Sequence, residues 1–245
     1  IEQDDKVKAF ICTKDLKDED YINNHYVIMA TKKGQVKKTS LEQYSRPRVN
    51  GINAITIKEE DELLEAKLTD GNSQVMLALK SGKAIRFEEA KTRPMGRNAS
   101  GVRGIRLQHD KDEVIGMVSV NDMESNILVV SSNGYGKRSK LEDYRVTNRG
   151  GKGVKTISIT EKTGDLVAIK NVDDSNGLMI INKSGIAIRM AVEDLRVMGR
   201  ATQGVKLINI KDGDSIAAVA KVIHEKDDEE QEIESSESEN TNLEQ

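Results

Sequence analysis

Four apolar runs, each leading into a glycine and a basic continuation, divide the chain at near-even intervals. They are Val27-Ile28-Met29-Ala30 before Gly34, Val75-Met76-Leu77-Ala78 before Gly82, Ile127-Leu128-Val129-Val130 before Gly134, and Leu178-Met179-Ile180-Ile181 before Gly185. The glycines are 48, 52 and 51 residues apart, a period that marks an array of repeated units. A second glycine follows 17 to 19 residues later, at Gly51, Gly101, Gly153 and Gly204. Each opens an alternating segment: Ile52-x-x-Ile55-x-Ile57, Val102-x-x-Ile105-x-Leu107, Val154-x-x-Ile157-x-Ile159 and Val205-x-x-Ile208-x-Ile210. Alternation of period two predicts strands with one buried and one wet face. An acidic turn then precedes a last strand, at Glu62-Leu63-Leu64, Glu113-Val114-Ile115, Asp165-Leu166-Val167 and Asp214-Ser215-Ile216.

The pairs Lys33-Gly34, Ser81-Gly82, Asn133-Gly134 and Ser184-Gly185 stand where a tight hairpin needs positive φ. Each repeat therefore predicts about four short antiparallel strands, and units of that size bury a face only by stacking on one another. The expected fold is all-β and propeller-like, with a solenoid as the alternative. One domain is expected over 1–223, with repeats at about 26–68, 75–118, 127–170 and 178–222, and an acidic disordered tail over 224–245. Asp4-Asp5-Lys6-Val7 matches the end of a repeat, which suggests a fragment of a longer chain, and the polar insertion Lys14 to Asn24 is expected as a surface loop.

Composition agrees with short strands: Trp is absent, Pro occurs twice and Gly 19 times in 245 residues, so the core rests on Val, Ile, Leu and Met. Cys12 lies in the apolar stretch Val7-Lys8-Ala9-Phe10-Ile11-Cys12 and is expected as a small core residue. A single thiol excludes a disulfide framework and fits a reducing cytoplasm. No apolar run approaches the roughly 18 residues of a membrane span, and no signal pattern opens the chain, so a soluble cytoplasmic protein without a membrane partner is expected.

The net charge of −3 conceals an uneven distribution. Residues 225–245 hold ten acidic residues and one lysine, while residues 1–224 hold 37 basic and 31 acidic residues, a net of +6. A basic body points to a polyanion; the acidic tail is either a solubilising end or a competitor for the basic surface.

A cation recurs four residues after the first glycine, at Lys38, Arg86, Arg138 and Arg189, with Lys37 and Lys137 beside two of them. Placement on a common rim is expected, either as protection of a strand edge or as a binding surface. More cations follow before and after the second glycine: Arg46 and Arg48; Arg93, Arg97 and Arg103; Arg145, Arg149, Lys152 and Lys155; Arg196, Arg200 and Lys206. Edge protection needs far fewer, which favours a phosphate-binding belt on duplex DNA with a strong salt dependence. The sharpest local motif, Arg149-Gly150-Gly151-Lys152-Gly153, sets glycines between two cations so that a phosphate can approach backbone N–H groups and charges together. Without a recognition helix or zinc-finger spacing, and with few aromatics for stacking on bases, the expected contacts are to the backbone of bent duplex.

No catalytic residue and no metal site is expected, because His25, His109 and His224 have no ligand spacing and no GxxxxGK[ST] loop occurs. Acidic stretches such as Glu59-Glu60-Asp61-Glu62 are expected as solvated turns.

The segments Val36-Lys37-Lys38-Thr39, Arg93-Pro94-Met95-Gly96-Arg97-Asn98, Gly101-Val102-Arg103-Gly104-Ile105-Arg106-Leu107, Asn133-Gly134-Tyr135-Gly136-Lys137-Arg138 and Val197-Met198-Gly199-Arg200-Ala201-Thr202-Gln203-Gly204-Val205 resemble the C-terminal domain of bacterial gyrase A subunits. The resemblance spans about residues 1–223. It implies a β-pinwheel, a propeller whose blades exchange strands, usually with six blades, of which about four are visible here. It also implies that the perimeter wraps DNA in support of ATP-dependent negative supercoiling by an A2B2 complex of A and B subunits. The catalytic tyrosine, ATP and Mg would lie elsewhere in that holoenzyme, with no cofactor in this chain and a cytoplasmic, nucleoid-associated location. Thr147-Asn148-Arg149-Gly150-Gly151-Lys152-Gly153 resembles the family's Q-[RK]-R-G-G-[RK]-G box without its leading Gln, in a later blade than the one that carries the box. The alternatives are the related domain of topoisomerase IV A subunits and a protein-binding propeller scaffold.

Overall fold

Each apolar run forms the first strand of a hairpin that turns at its glycine, and an array of such hairpins makes up the structure. The computed structural model describes residues 6–211 and 213–223. After a short helix, α1 (Glu19–Asn24), the first repeat supplies β1 (Tyr26–Thr31), β2 (Gln35–Ser40) and β3 (Leu63–Thr69). The second supplies β4 (Gln74–Leu79), β5 (Lys83–Glu88), β6 (Val102–Arg103) and β7 (Val114–Val120), and the third β8 (Asn126–Ser131), β9 (Tyr135–Lys140), β10 (Val154–Lys155) and β11 (Leu166–Val172). The fourth supplies β12 (Asn176–Asn182), β13 (Ala187–Ala191), β14 (Val205–Lys206) and β15 (Ile216–Ile223).

The sheets do not coincide with the repeats. Their strand orders are β3-β1-β2-β6, β10-β5-β4-β7, β11-β8-β9-β14 and β13-β12-β15, so β6, β10 and β14 each complete the sheet of the preceding repeat. The strands named pair antiparallel, with a register shift at the same point of every blade, beside Ala30, Ala78, Val130 and Ile181, while isolated parallel bridges join Lys38 to Pro94, Arg86 to Val146 and Arg138 to Val197. The described residues thus form an all-β pinwheel of four blades joined by strand exchange, with β3, β7, β11 and β15 packed in succession.

The core lies between blades. Period-two geometry sends Ile28 and Ala30 of β1 toward the second blade and Val27 and Met29 to the opposite side. In β4, Val75, Leu77 and Leu79 face the first blade while Met76 and Ala78 face the third. Burial on both faces explains why these strands read as continuous apolar runs. Burying one such Leu, Ile or Met side chain contributes about 1.5–3 kcal/mol.

Several sequence-based expectations are revised. The alternating segments form only two-residue strands, and residues 51–58 form none; their isoleucines alternate because Ile105, Ile157 and Ile208 are buried between blades, not because a long ladder exists. The insertion expected as a loop contains α1, capped by Asp18 and burying Ile22 against Val27 and Met29. Cys12 is exposed rather than in the core, because residues 6–13 run without regular structure while Ile11 and Leu16 make the apolar contacts. The acidic turns remain solvated as expected at Glu59, Glu60 and Glu62, and they also cap the hairpins: Asp61 Oδ1 accepts from Lys33 N at 2.8 Å and Asp112 Oδ1 from Ser81 N at 3.1 Å. The acidic tail, 224–245, lies outside the described residues, as do Asp4 and Asp5. No helix among the described residues is long and apolar enough to cross a membrane.

Candidate nucleic-acid interface

The cations singled out by the sequence fall into three sets once blades are joined. Lys37, Lys38, Arg86, Lys137 and Arg138 are buried, which corrects their placement on an open rim. Each follows the hairpin turn on a strand that the next repeat covers, and each reaches into that repeat. Arg86 donates from Nε to Gln74 Oε1 at 2.6 Å and from Nη1 to the carbonyls of Leu141 at 2.8 Å and Tyr144 at 3.0 Å. Arg138 repeats the arrangement on Leu195 O and pairs with Asp174. Lys38 stands 3.5 Å from the buried Glu89 carboxylate and 4.8 Å from the centre of the Tyr26 ring. Glu89 opens the 3-10 turn Glu89–Lys91, the counterpart of the turn that Arg86 holds.

Lys37 donates to Ala54 O at 2.6 Å and to Arg97 O, and Lys137 to Gly199 O at 2.6 Å and Thr202 Oγ1 at 3.2 Å. Loss of solvent pulls both ammonium groups down to about 8; nearby Arg97 adds to the effect on Lys37, whereas Asp143 opposes it on Lys137. These five side chains hold the blades together and leave no face for a phosphate. A recurring cation reads alike in sequence whether solvated or buried. No signal within the repeat separates the two, because the strand that covers the cation comes from the next repeat.

Arg97, Arg149 and Arg200 form the second set, each half-buried and equivalent in its repeat. Arg149 donates from Nε to Lys91 O at 3.0 Å and from Nη1 to Arg103 O at 3.1 Å, and Arg200 does the same to Asp143 O at 3.0 Å and Lys155 O at 2.8 Å. Arg97 donates to Asn53 O at 3.2 Å. Each guanidinium rivets its loop onto the preceding repeat.

The third set is exposed: Arg46, Arg48, Arg93, Arg103, Arg145, Lys152, Lys155, Arg189, Arg196 and Lys206. Arg103, Lys155 and Lys206 occupy the second position of the exchanged strands β6, β10 and β14. Arg93, Arg145 and Arg196 stand at one equivalent position before them. Strand exchange therefore sets an exposed pair at each of three joints. Among the exposed cations that the sequence reading left out are Lys91 and Arg106; Arg106 could have been found on the wet face of the alternation that buries Ile105.

The Arg149-Gly150-Gly151-Lys152-Gly153 loop sits on the second blade. Gly153 has a φ of 71° and lies so close to the Ala84 carbonyl that a β-carbon would stand 2.6 Å from its oxygen, which restricts this position to glycine. Gly150 N already donates to Gly104 O at 2.6 Å, so that N–H is not offered to an anion as the motif suggested. Gly151, Lys152 and Gly153 line a cavity of about 200 Å³ with Arg86, Arg145, Thr147 and Asn148. Among the described residues no group of three or more His, Cys, Asp or Glu could hold a metal ion.

Comparison with known proteins places this geometry. The family described as DNA gyrase C-terminal domain, beta-propeller, matches residues 25–70, 75–121, 125–173 and 178–223. The DNA gyrase A subunit of Staphylococcus epidermidis is 43% identical over 228 residues, 93% of this chain and 25% of the relative. That of Staphylococcus aureus is 42% identical over 237 residues, 96% of this chain and 26% of the relative. The chain thus spans about a quarter of the length of these relatives. A solved DNA gyrase A C-terminal domain superposes with a TM-score of 0.74 at 24% identity, over 82% of this chain and 67% of that one. A solved C-terminal domain of DNA topoisomerase IV gives 0.77 at 24% identity, over 82% and 62%; at this identity both show the fold alone.

Proposed function

The chain belongs to the DNA gyrase C-terminal domain, beta-propeller family, and on that premise we propose that its exposed joint cations bind and bend duplex DNA. The observation that carries this reading is the recurrence of an exposed pair at each strand-exchange joint: Arg93 with Arg103, Arg145 with Lys155, and Arg196 with Lys206. Arg46, Arg48 and Lys152 extend the series. Charges repeated from blade to blade meet backbone phosphates at intervals along the duplex and read no base, so selectivity rests on how readily the duplex bends.

Within a longer gyrase polypeptide of the A type, paired with gyrase B as A2B2 in a bacterial cytoplasm, such bending would present DNA for ATP- and Mg-dependent negative supercoiling carried out elsewhere in the complex. Fluorescence anisotropy on a duplex of about 150 base pairs, one persistence length, tests the binding step. Six to ten phosphate contacts lower affinity by about 10³–10⁵ between 50 and 200 mM salt. A folded chain that fails to bind at low salt overturns the reading.

A further inference from the structure

Next to one arginine of each exposed pair stands a solvent-exposed apolar residue, at one equivalent position: Pro94 after Arg93, Val146 after Arg145 and Val197 after Arg196. Val146 and Val197 are 44% and 43% exposed. In the first repeat the loop that carries Arg46 and Arg48 likewise exposes Val49. Exposed apolar residues scattered singly need no explanation, but recurrence at one structural position does.

The backbone at these positions is fixed from both sides. Pro94, Val146 and Val197 form parallel bridges with the buried cations Lys38, Arg86 and Arg138. The following residue donates to the carbonyl of that same cation, Met95 N to Lys38 O, Thr147 N to Arg86 O and Met198 N to Arg138 O, each at 2.8 Å. Further along the loop, Arg97, Arg149 and Arg200 tie it to the preceding repeat. Each apolar side chain is therefore presented from a rigid edge, so little ordering is lost on contact.

The exchanged cation lies on the same edge. Arg103, Lys155 and Lys206 pair with Gln35, Lys83 and Tyr135, three residues before the bridged Lys38, Arg86 and Arg138, which is about 10 Å of strand. Segments 93–98, 145–150 and 196–201 hold no Asp or Glu. Each joint thus combines two exposed cations with one apolar contact and no acidic residue in the loop. The apolar residues recur one per joint instead of clustering, as the anchors of a protein interface do.

A surface that is apolar yet bordered by anions is the sugar of a nucleic-acid backbone, which proteins contact together with its phosphates. We propose that Pro94, Val146 and Val197 form an interrupted apolar ridge that packs on deoxyribose beside the phosphates held by the joint cations. The inference rests on the DNA-binding reading above and divides the labour within it. Counterion release scales with the charges neutralised, whereas burial of apolar surface does not depend on them. The cations set how steeply affinity falls with salt, and the ridge sets its level at any salt.

Extended backbone also suits proline and β-branched residues, so the test uses a variant that keeps the branching, Val146→Thr/Val197→Thr in the full chain. Binding to a duplex of about 150 base pairs is measured across a salt titration. The variant is expected to bind on the order of tenfold more weakly than the parent at every salt concentration, as loss of one buried methyl at each of two sites implies. Its log–log salt slope and melting temperature should match the parent's, and so should its affinity for inorganic polyphosphate, which carries the charges without the sugars. Equal affinity of variant and parent for DNA overturns the proposal. So does an equal loss on polyphosphate, which would make the valines supports for the cations, and so does a loss that vanishes on duplex containing uracil in place of thymine, which would put the valines on base methyls. These outcomes leave the DNA-binding reading standing; a parent chain that fails to bind DNA at low salt overturns that reading and the ridge with it.

Discussion

Lys38 Nζ lies 3.5 Å from Glu89 Oε1, with both side chains nearly free of solvent although they come from successive repeats. Thr69 Oγ1 also donates to that carboxylate at 2.7 Å, so one buried cluster couples two blades. Removing one partner of a buried pair costs about 3–5 kcal/mol, whereas replacing both with apolar groups is often neutral. Urea unfolding should show that loss for Glu89→Gln and recover most of it in Lys38→Met/Glu89→Leu. An E89Q chain as stable as the parent would rule out the coupling.

The two inward lysines set a pH dependence. Lys37 and Lys137 titrate at about 8 in the folded chain, against 10.5 for an ordinary lysine. Between these values the unfolded chain binds more protons, so stability rises with pH, and below about 8 the contribution to the slope vanishes. The stability difference between the parent and Lys37→Met/Lys137→Met should therefore move in the parent's favour from pH 8 to 9.5 and stay flat from pH 6 to 7. A parallel pair of curves would contradict the burial.

Exposed and buried cations should separate in solution. Arg145→Gln/Lys155→Gln removes two proposed phosphate contacts and should reduce the log–log salt slope of DNA binding by about 2, with an unchanged melting temperature. Arg138→Gln should lower the melting temperature and leave the slope as it was. The reverse outcome would return the buried arginine to the interface.

The glycine loop divides in the same way. Lys152 is exposed, while Arg149 holds Lys91 O and Arg103 O. Lys152→Glu should weaken DNA binding at constant thermal stability, and Arg149→Glu should lose both. Equal melting temperatures for the two variants would show that the rivet carries no stability.

What the sequence determined was local. The spacing of apolar runs and glycines specified four repeats, the hairpin turns and the strands after the acidic turns, since a strand's alternation and a turn's need for positive φ are written within a few residues. The exposed cations at 93, 103, 145, 155, 196 and 206 were also legible, as recurrences at fixed offsets. Tertiary structure decided what those offsets mean. Lys38 and Arg86 look like rim charges until the next repeat delivers Glu89, Leu141 and Tyr144 to them. Cys12 belongs to an apolar stretch yet stays outside, because Ile11 and Leu16 on either side of it, with the helix bearing Ile22, make the apolar contacts with the first blade. A residue's own repeat fixes its conformation, but strand exchange places its burial and its partners about 50 residues away, beyond what local pattern can encode.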